Sequence, residues 1–581
     1  MNIEPQCAHT ITAQQLMNFL ALILLSVFRM VVIPVQFSDT KFTASEEQLL
    51  NTVKSAESYF RAQPSGILPG KPVTGQVEFT LAPVVTVSGK LSYYGANYSD
   101  RKDVLLHEAV REAVKMSTGA VDFSLFDNNS DGYVDNVHII TAGHSESEGG
   151  SPDNIWPQHD NLSKHGGTIS AGKKTVNSYT VSTEYSNTGI MCHEIGHFLG
   201  LPDLYDTDGE GSGGLSSGLR GTSLMDNGCF NNDGNTPPNI SALDLDIMGR
   251  KPTIAARKSY TLQPVSRGGE FLKIESGDEN EYYLLECRVA DNWDRFIGGS
   301  GLVAYHIDRS SADAGWSDLL NRTLTAGERW SYGQVNSNPA YECAKPLTGP
   351  SDDGSAKAIF FPGNGYSGIG QMDGPTFTFR DKSTSPLAVK DIQSNIDNSI
   401  SFEIIAPITI EGSIVHQDGI TLKWNTDLPE DEILSYAINW TDGRITGAAE
   451  ALPDSRSFTI ERLSPMHAYR AWVTIILKTG TKYRNGISFT TKFYQENTYP
   501  YIYLGNIPGR AKDGSFLRGT GICLKVYNAP DMIHCQWYYD SEPITADADG
   551  TFILSRSGTL RAVLTHKNGS REVIEKEITV R

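Results

Sequence analysis

Apolar and polar positions change rhythm three times along the chain. From Val31 to about Gly249, strand-like and helix-like patterns alternate. The run VVIPVQF (31–37) is almost continuously apolar, as a strand buried on both faces requires. EEQLLNTVKSAESYFRA (46–62) has helical spacing. DVLLHEAVREAVKM (103–116) repeats apolar pairs at Leu105/Leu106, Ala109/Val110 and Ala113/Val114, which puts one stripe of a helix against a core. YVDNVHIITAG (133–143) predicts a further strand, and TGIMCHEIGHFLGL (188–201) a further helix. Such alternation predicts a mixed α/β or α+β domain.

After Arg250 the long helical patterns vanish. Short β-branched or aromatic runs such as EYYLLECRV and GLVAYHID alternate with Gly, Asp and Ser clusters, which is all-β texture. A new unit begins near Ala406-Pro407, with GITLKW (419–424), YAINW (436–440), SFTIERL (457–463) and YRAWVTIIL (469–477) separated by turn signals. Within it, Leu463-x-Pro465-x-x-x-Tyr469 resembles the tyrosine corner of fibronectin type III domains, with Trp424 as an inward-facing core residue. A last unit, about 496–581, carries CQWYYD, DGTFIL, SGTLRAVLT and EKEITV and reads as an immunoglobulin-type sandwich.

One long apolar run lies near an end, LMNFLALILLSVF (16–28). It is too short to span a bilayer but matches the core of a secretory signal, so export is expected. No Lys or Arg precedes Arg29 and no A-x-A site follows, so a buried helix is the competing reading. No other stretch is long and apolar enough to be a membrane span, which excludes an integral membrane protein on this pattern.

The 581 residues are enough for several cores. Acidic residues outnumber basic ones by 68 to 49, a net charge of −19. A field of that sign repels nucleic acid and anionic membranes and suits a protein that binds cations. Seven cysteines are too few to be the main support of so long a chain. Cys287/Cys343 and Cys523/Cys535 each have a partner within one domain, and a Cys192–Cys229 bridge competes with buried free thiols; sequence leaves all three pairings open.

The candidate chemistry lies in MCHEIGHFLGLPDLYD (191–206). His193 and His197 are four residues apart and share one helix face, so both imidazoles can hold one ion, with Glu194 projecting beside it. A catalytic zinc wants a third protein ligand and an open position. In the pattern H-E-x-x-H-x-x-G-x-x-[H/D], a glycine lets the helix stop and the chain turn back, and here Gly200 and then Asp203 stand at those offsets. The expected site is therefore zinc (Zn2+) on His193, His197 and Asp203, with Glu194 as general base to an activated water. HEAVR (107–111) has the His-Glu pair but Arg where a second ligand is needed, and reads as helix surface. His144 and the segment IWPQHD (155–160) could line the cleft, but a lone His near a strand end is usually structural, and they are set aside on that ground.

Met225, in the turn-rich GTSLMDNG, resembles the methionine turn that lies beneath the metal in metzincin peptidases. Together with HEIGHFLGLPDLYD, SLMDNG followed by NTPPNISALDLDIMG, and the first strand VVIPVQFSD, it makes residues 31 to 405 resemble the immune inhibitor A-like zinc metallopeptidases, secreted bacterial endopeptidases. GSGLVAYHID (299–308) is similar to the β-domain that follows the peptidase in that family. Members are usually made with a sizeable propeptide, whereas here the first peptidase strand starts within a few residues of the signal-like run. The resemblance implies a zincin/metzincin-like α/β (α+β) catalytic domain followed by all-β sandwich domains. The expected divisions are a signal-like segment at 1–29, a peptidase at 30–252, a β-rich domain at 253–406, a fibronectin type III-like domain at 407–494 and an immunoglobulin-like sandwich at 495–581.

A second cation site is expected at DFSLFDNNSDGYVD (122–135). Asp127, Asn129 and Asp131 alternate before Gly132 and Asp135, resembling the first nine positions of a calcium (Ca2+) loop. The twelfth position is His138, not Glu, so the loop is no EF-hand, and a metal-free Asx-rich turn is the alternative. DTDGEGSGG (206–214) is a weaker candidate for a further calcium.

The function expected is a secreted or cell-surface zinc endopeptidase acting on protein or glycoprotein substrates. The C-terminal β modules are expected to make carbohydrate or cell-surface contacts. The alternative from another class is an inactive or latent peptidase-like adhesin or glycan-binding protein, against which the intact Glu194 counts. A zinc hydrolase acting on something other than protein is a third reading.

Overall fold

The computed structural model describes residues 27–64, 76–99, 101–349, 352–363, 365–492, 500–504, 511, 513–527, 529–545 and 551–581. The signal-like run lies outside the described residues except at its last two positions. Those two already belong to the folded chain, because strand β1 (Phe28–Gln36) starts at Phe28, three residues before the apolar run that announces it. The chain divides into two compact units, one ending at Ile405 and one beginning at Ala406.

The first unit is built on a mixed sheet. β1 lies between β2 (Val77–Leu81) and β4 (Val137–Thr141), both parallel to it, and β3 (Val85–Thr86) pairs with its far end. β5 (Gln158–Asn161) is the antiparallel edge, bonded to β6 (Ser178–Thr183), which is itself parallel to β4. Side chains alternate across β1: Met30 and Val32 enter one core, Val31, Ile33 and Val35 the other. Helices α1 (Glu46–Ala62) and α3 (Thr188–Phe198) cover the first face, and α2 (Leu106–Ser117) covers the second with Ala109, Val110, Ala113 and Val114. Burial on both faces is why β1 reads as an unbroken apolar run. α1 starts where a capping box predicts: the Ser45 hydroxyl accepts from Gln48 N at 3.2 Å, and Ser45 N donates to Gln48 Oε1 at 2.8 Å.

The β-rich region is continuous with this layer. Five strands in the order Thr253–Ile254, Leu272–Glu275, Glu281–Arg288, Gly301–Asp308 and Ala344–Pro346 form one sheet, and Lys258–Leu262, Ile400–Ile405 and Ala388–Ser394 form a second. Along Glu281–Arg288, Tyr283, Leu285 and Cys287 face the second sheet. Tyr282 and Leu284 face the same core as α1 and α3. The region before Arg250 and the β-rich region therefore fold as one compact unit rather than as two separate cores. A buried charge network reinforces the join. Arg288, 2% exposed, donates to Asp294 Oδ1 at 2.5 Å and to the Thr222 carbonyl at 3.3 Å, while Glu286 accepts from Ala242 N at 3.0 Å. Cys287 and Cys343 belong to different cores, and all six described cysteines are free.

The second unit is all β. Thr409–Ile410, Ile414–Val415, Ile420–Asn425 and Ser457–Ile460 form one sheet, and Ile433–Thr441, Thr446–Ala451, Ala468–Leu477 and Lys482–Thr490 the other. Trp424 is buried and tilted against Tyr436 at 5.2 Å, and the Tyr469 hydroxyl accepts from Ser464 N at 3.0 Å. Beyond residue 500 a four-stranded sheet of Glu542–Ile544, Met532–Tyr539, Gly558–His566 and Arg571–Ile578 accompanies two strand pairs. Among the described residues no helix is long and apolar enough to cross a membrane.

His138 sits fully buried in β4 between the Thr180 and Ser182 hydroxyls, each 2.8 Å from a ring nitrogen. Burial pushes its pKa down to about 3. A depressed folded-state value means that His138 contributes stability fully present above its ordinary pKa and lost as pH falls through the folded one. Replacing it by His138→Gln should flatten the acid side of the stability profile by about 1.4 kcal/mol per pH unit between about pH 6 and about pH 4, read from urea midpoints at each pH.

Candidate metal centre

Helix α3 carries the histidine pair and ends in a way that brings back a third ligand. Leu201 N donates to Gly196 O at 3.1 Å and Gly200 N to His197 O at 3.0 Å, the two bonds of a Schellman cap, with Gly200 at φ +90°. A side chain at Gly200 would be strained in that left-handed conformation. The turn aims the Leu201 carbonyl at His197 Nδ1, 2.8 Å away, and returns Asp203 to the helix face. Asp203 Oδ1 is 3.1 Å from His193 Nε2 and 3.2 Å from His197 Nε2. Among the described residues these three are the one group of His, Cys, Asp or Glu side chains gathered closely enough to share an ion.

The hydrogen bonds behind the rings decide what the front can do. His193 Nδ1 meets the Leu224 carbonyl at 2.9 Å and His197 Nδ1 meets that of Leu201. A carbonyl only accepts, so each Nδ1 carries a proton and each Nε2 of the neutral ring presents a lone pair. Two lone pairs and a carboxylate oxygen then converge with no donor between them, which is a cradle for a cation. The electrostatics favour positive charge at that point, whether a metal ion or, without one, a proton. Burial pushes both imidazoles down, but Asp203 more than offsets this and both end above their ordinary value. Burial likewise pushes Asp203 up, but the two histidines win and hold it well below the usual carboxylate range.

Glu194 is buried, and its Oε2 has no hydrogen-bond partner. Burial raises its pKa to about 7, although both histidines pull the other way. It faces a cavity of about 320 Å³ that His193, Trp156, Tyr205 and Cys229 also line. Met225 is fully buried beneath the helix, and a Cβ on Gly196 would stand 2.6 Å from its sulfur. The same turn supplies the Leu224 carbonyl to His193, so it both supports the helix and orients a ligand.

Two residues here escape sequence reasoning. Tyr205 lies two positions after Asp203, its ring 6.3 Å from that of His193; burial and the nearby Asp203 and Glu194 raise its pKa. Asp226 is buried next to the methionine and accepts from Leu219 N and Asn227 N, both at 2.6 Å; burial pushes it up to about 7. Only their adjacency to the motifs could have flagged them. Of the segments set aside as structural, Trp156 and Pro157 line the cavity, whereas His144 stacks on Tyr185 at 4.0 Å.

The calcium-like loop is arranged differently. Asp127 pairs with the Lys174 ammonium and accepts from Asp131 N and Gly132 N. Asp135 accepts from Asn128, and Asn129 donates to Asp131 at 3.0 Å. Among the described residues the carboxylates of Asp127, Asp131 and Asp135 are not gathered closely enough to share an ion. In the 206–214 segment, Asp206 accepts from Asp208 N, Gly209 N and Ser216 N, fastening the loop to itself.

A histidine pair and a returning aspartate, with a buried glutamate at a cleft, form a cluster able to hold a metal ion. Residues 33–250 match the family described as immune inhibitor A peptidase M6, catalytic domain, and this part of the chain is similar to that metallopeptidase family. Immune inhibitor A of Bacillus thuringiensis subsp. alesti is 28% identical over 237 residues, covering 35% of this chain and 33% of that protein. The pre-pro-metalloprotease PrtV of Vibrio cholerae serotype O1 is 31% identical over 154 residues, covering 22% of this chain and 17% of that protein. The chain thus matches these curated relatives over a third or less of their length. Among solved structures, the fn3 domain of human collagen alpha-1(XX) is 13% identical over 16% of this chain and 88% of that domain, at a TM-score of 0.14 that carries no argument.

Gly200→Ala should cost about 1 kcal/mol in stability from backbone strain. By displacing Asp203 it should also weaken zinc binding about tenfold, as measured by competition with a chromogenic chelator.

Proposed function

We propose that the chain is a secreted zinc-dependent endopeptidase of metzincin-like build, acting on protein or glycoprotein substrates. The observation that carries this reading is the convergence of His193 Nε2, His197 Nε2 and Asp203 Oδ1 beside a buried Glu194 that has an unpartnered oxygen. Zinc held by these three atoms would polarise a peptide carbonyl and acidify a nearby water. Glu194, buried with an oxygen free of partners, takes the proton of that water and passes it to the leaving amine. Leu224 and Leu201 keep the two rings in the ligating tautomer, and Tyr205 stands beside Asp203 at the cavity wall. An adhesin that had lost its activity would have no need of this base and its cleft.

Export rests on the apolar run at 16–28. The C-terminal modules, read as fibronectin type III-like and immunoglobulin-like, would hold the enzyme on a carbohydrate or cell-surface partner, supported by the buried Trp424 and the Tyr469 corner. For the loop at 127–135, calcium would have to displace Lys174 from Asp127. Lys174→Gln is therefore expected to make the melting temperature rise with added calcium more steeply than in the wild type, read by scanning calorimetry.

The deciding experiment combines metal content and proteolysis on one preparation. Wild type and Glu194→Ala should each contain one zinc by elemental analysis, and only the wild type should cleave denatured casein, with cleavage abolished by a chelator. The variant's turnover should fall by about three orders of magnitude or more. An active Glu194→Ala protein, or one without zinc in either form, would refute the reading.

A further inference from the structure

A second cavity, of about 410 Å³, opens in the same unit beside the catalytic cleft. Gly218 lines both. Leu215 and Ser216 face the cleft, whereas Ser217 and Arg220 face the second cavity, so one short stretch of chain is the wall between them. Glu342 fixes that wall by accepting from Gly218 N at 2.8 Å.

The second cavity is positively charged in a chain whose net charge is −19. Arg220, Lys345, Arg380 and Lys382 line it against two carboxylates, Glu342 and Asp352. Asp352 is already paired with Arg220 at 2.7 Å. Asp308 holds Arg380 Nε at 2.8 Å, but Arg380 Nη2 is buried with no acceptor. Lys345 and Lys382 have no ion-pair partner among the described residues. A buried guanidinium nitrogen without an acceptor is costly, and the two exposed lysines at the same cavity add positive potential to it. The floor is apolar and fixed: Tyr283 and Phe379 lie 5.7 Å apart, and the Tyr283 hydroxyl donates to Thr378 O at 2.8 Å. A carboxylate on a short aliphatic stem would satisfy the cations and rest on these rings.

We propose that this cavity is a carboxylate-binding exosite that takes an acidic side chain, Asp or Glu, of the polypeptide lying in the neighbouring catalytic cleft. The shared wall is what favours a polypeptide over a free small anion, since a chain leaving the cleft over Gly218 meets the second cavity next. The proposal rests on the endopeptidase reading and gives that enzyme a preference for substrates with acidic residues at a distance from the cleaved bond.

The test uses the full chain and a fluorogenic peptide taken from a cleaved protein substrate, made with a Glu-rich or a Gln-rich tail at either end. Wild type should show a kcat/KM ratio, Glu-tailed over Gln-tailed, of about tenfold for one tail position, arising in KM and shrinking with added salt. The double substitution Lys345→Glu with Lys382→Glu should bring the ratio to about one or below, and Lys345→Gln with Lys382→Gln should give an intermediate value. A wild-type ratio near one, or a ratio that the substitutions leave unchanged, overturns the exosite while leaving the peptidase standing. If the wild type cleaves no peptide at all, the peptidase reading fails separately. Fluorescence anisotropy of the labelled Glu-tailed peptide then decides: binding lost in the Lys345→Glu, Lys382→Glu protein supports the site, and equal binding overturns it. Displacement of that peptide by glucuronate at lower concentration than by glutamate would assign the cavity to a sugar acid instead and overturn the proposal.

Discussion

Three ligand atoms aimed at one point are the constraint on which this unit depends. His193 Nε2, His197 Nε2 and Asp203 Oδ1 repel one another unless a positive charge stands among them. The protein supports that arrangement from behind. Backbone carbonyls at Leu224 and Leu201 fix the tautomers, and neither can move without moving the turns that supply it. The cap at Gly200 and the sulfur of Met225 against Gly196 are further parts of one mechanical frame.

That frame is only as rigid as the layers around it. α3 lies against the core that also receives α1, one face of β1 and the strand Glu281–Arg288. The turn carrying Leu224 and Met225 follows Thr222, whose carbonyl is held by the buried Arg288. A charge so deeply buried is stable only when its partners are in place, so the network fixes one geometry more than it adds stability. Support for the ligands thus reaches them from the β-rich region as well as from the peptidase layer.

The sequence made some of this legible and hid the rest for physical reasons. Local periodicity located α1 at Glu46–Ala62 and the histidine helix, because each buries a single stripe or carries its own cap. The gathering of His193, His197 and Asp203 was legible because a helical repeat and one glycine determine it within eleven residues. β1 begins earlier than its apolar run suggests, since Phe28 and Arg29 pair with Val77 and Glu78 in a register that depends on distant chain. Asp226 was not legible as a cleft residue because nothing local announces which side of a turn faces a cavity. The Asp127 loop shows the limit of motif reading: oxygen ligands at alternating positions say nothing of a lysine forty-seven residues away that occupies one of them.

The shared core between peptidase and β-rich region bears on how this protein can vary. Similarity to the peptidase family ends at residue 250, but the compact unit runs to Ile405. Recombination that cut between those points would leave Tyr282, Leu284, Val303 and Tyr305 without the apolar surface they cover, and the histidine helix without theirs. The stretch through Ile405 therefore has to be kept whole, whereas the unit that begins at Ala406 is compact by itself.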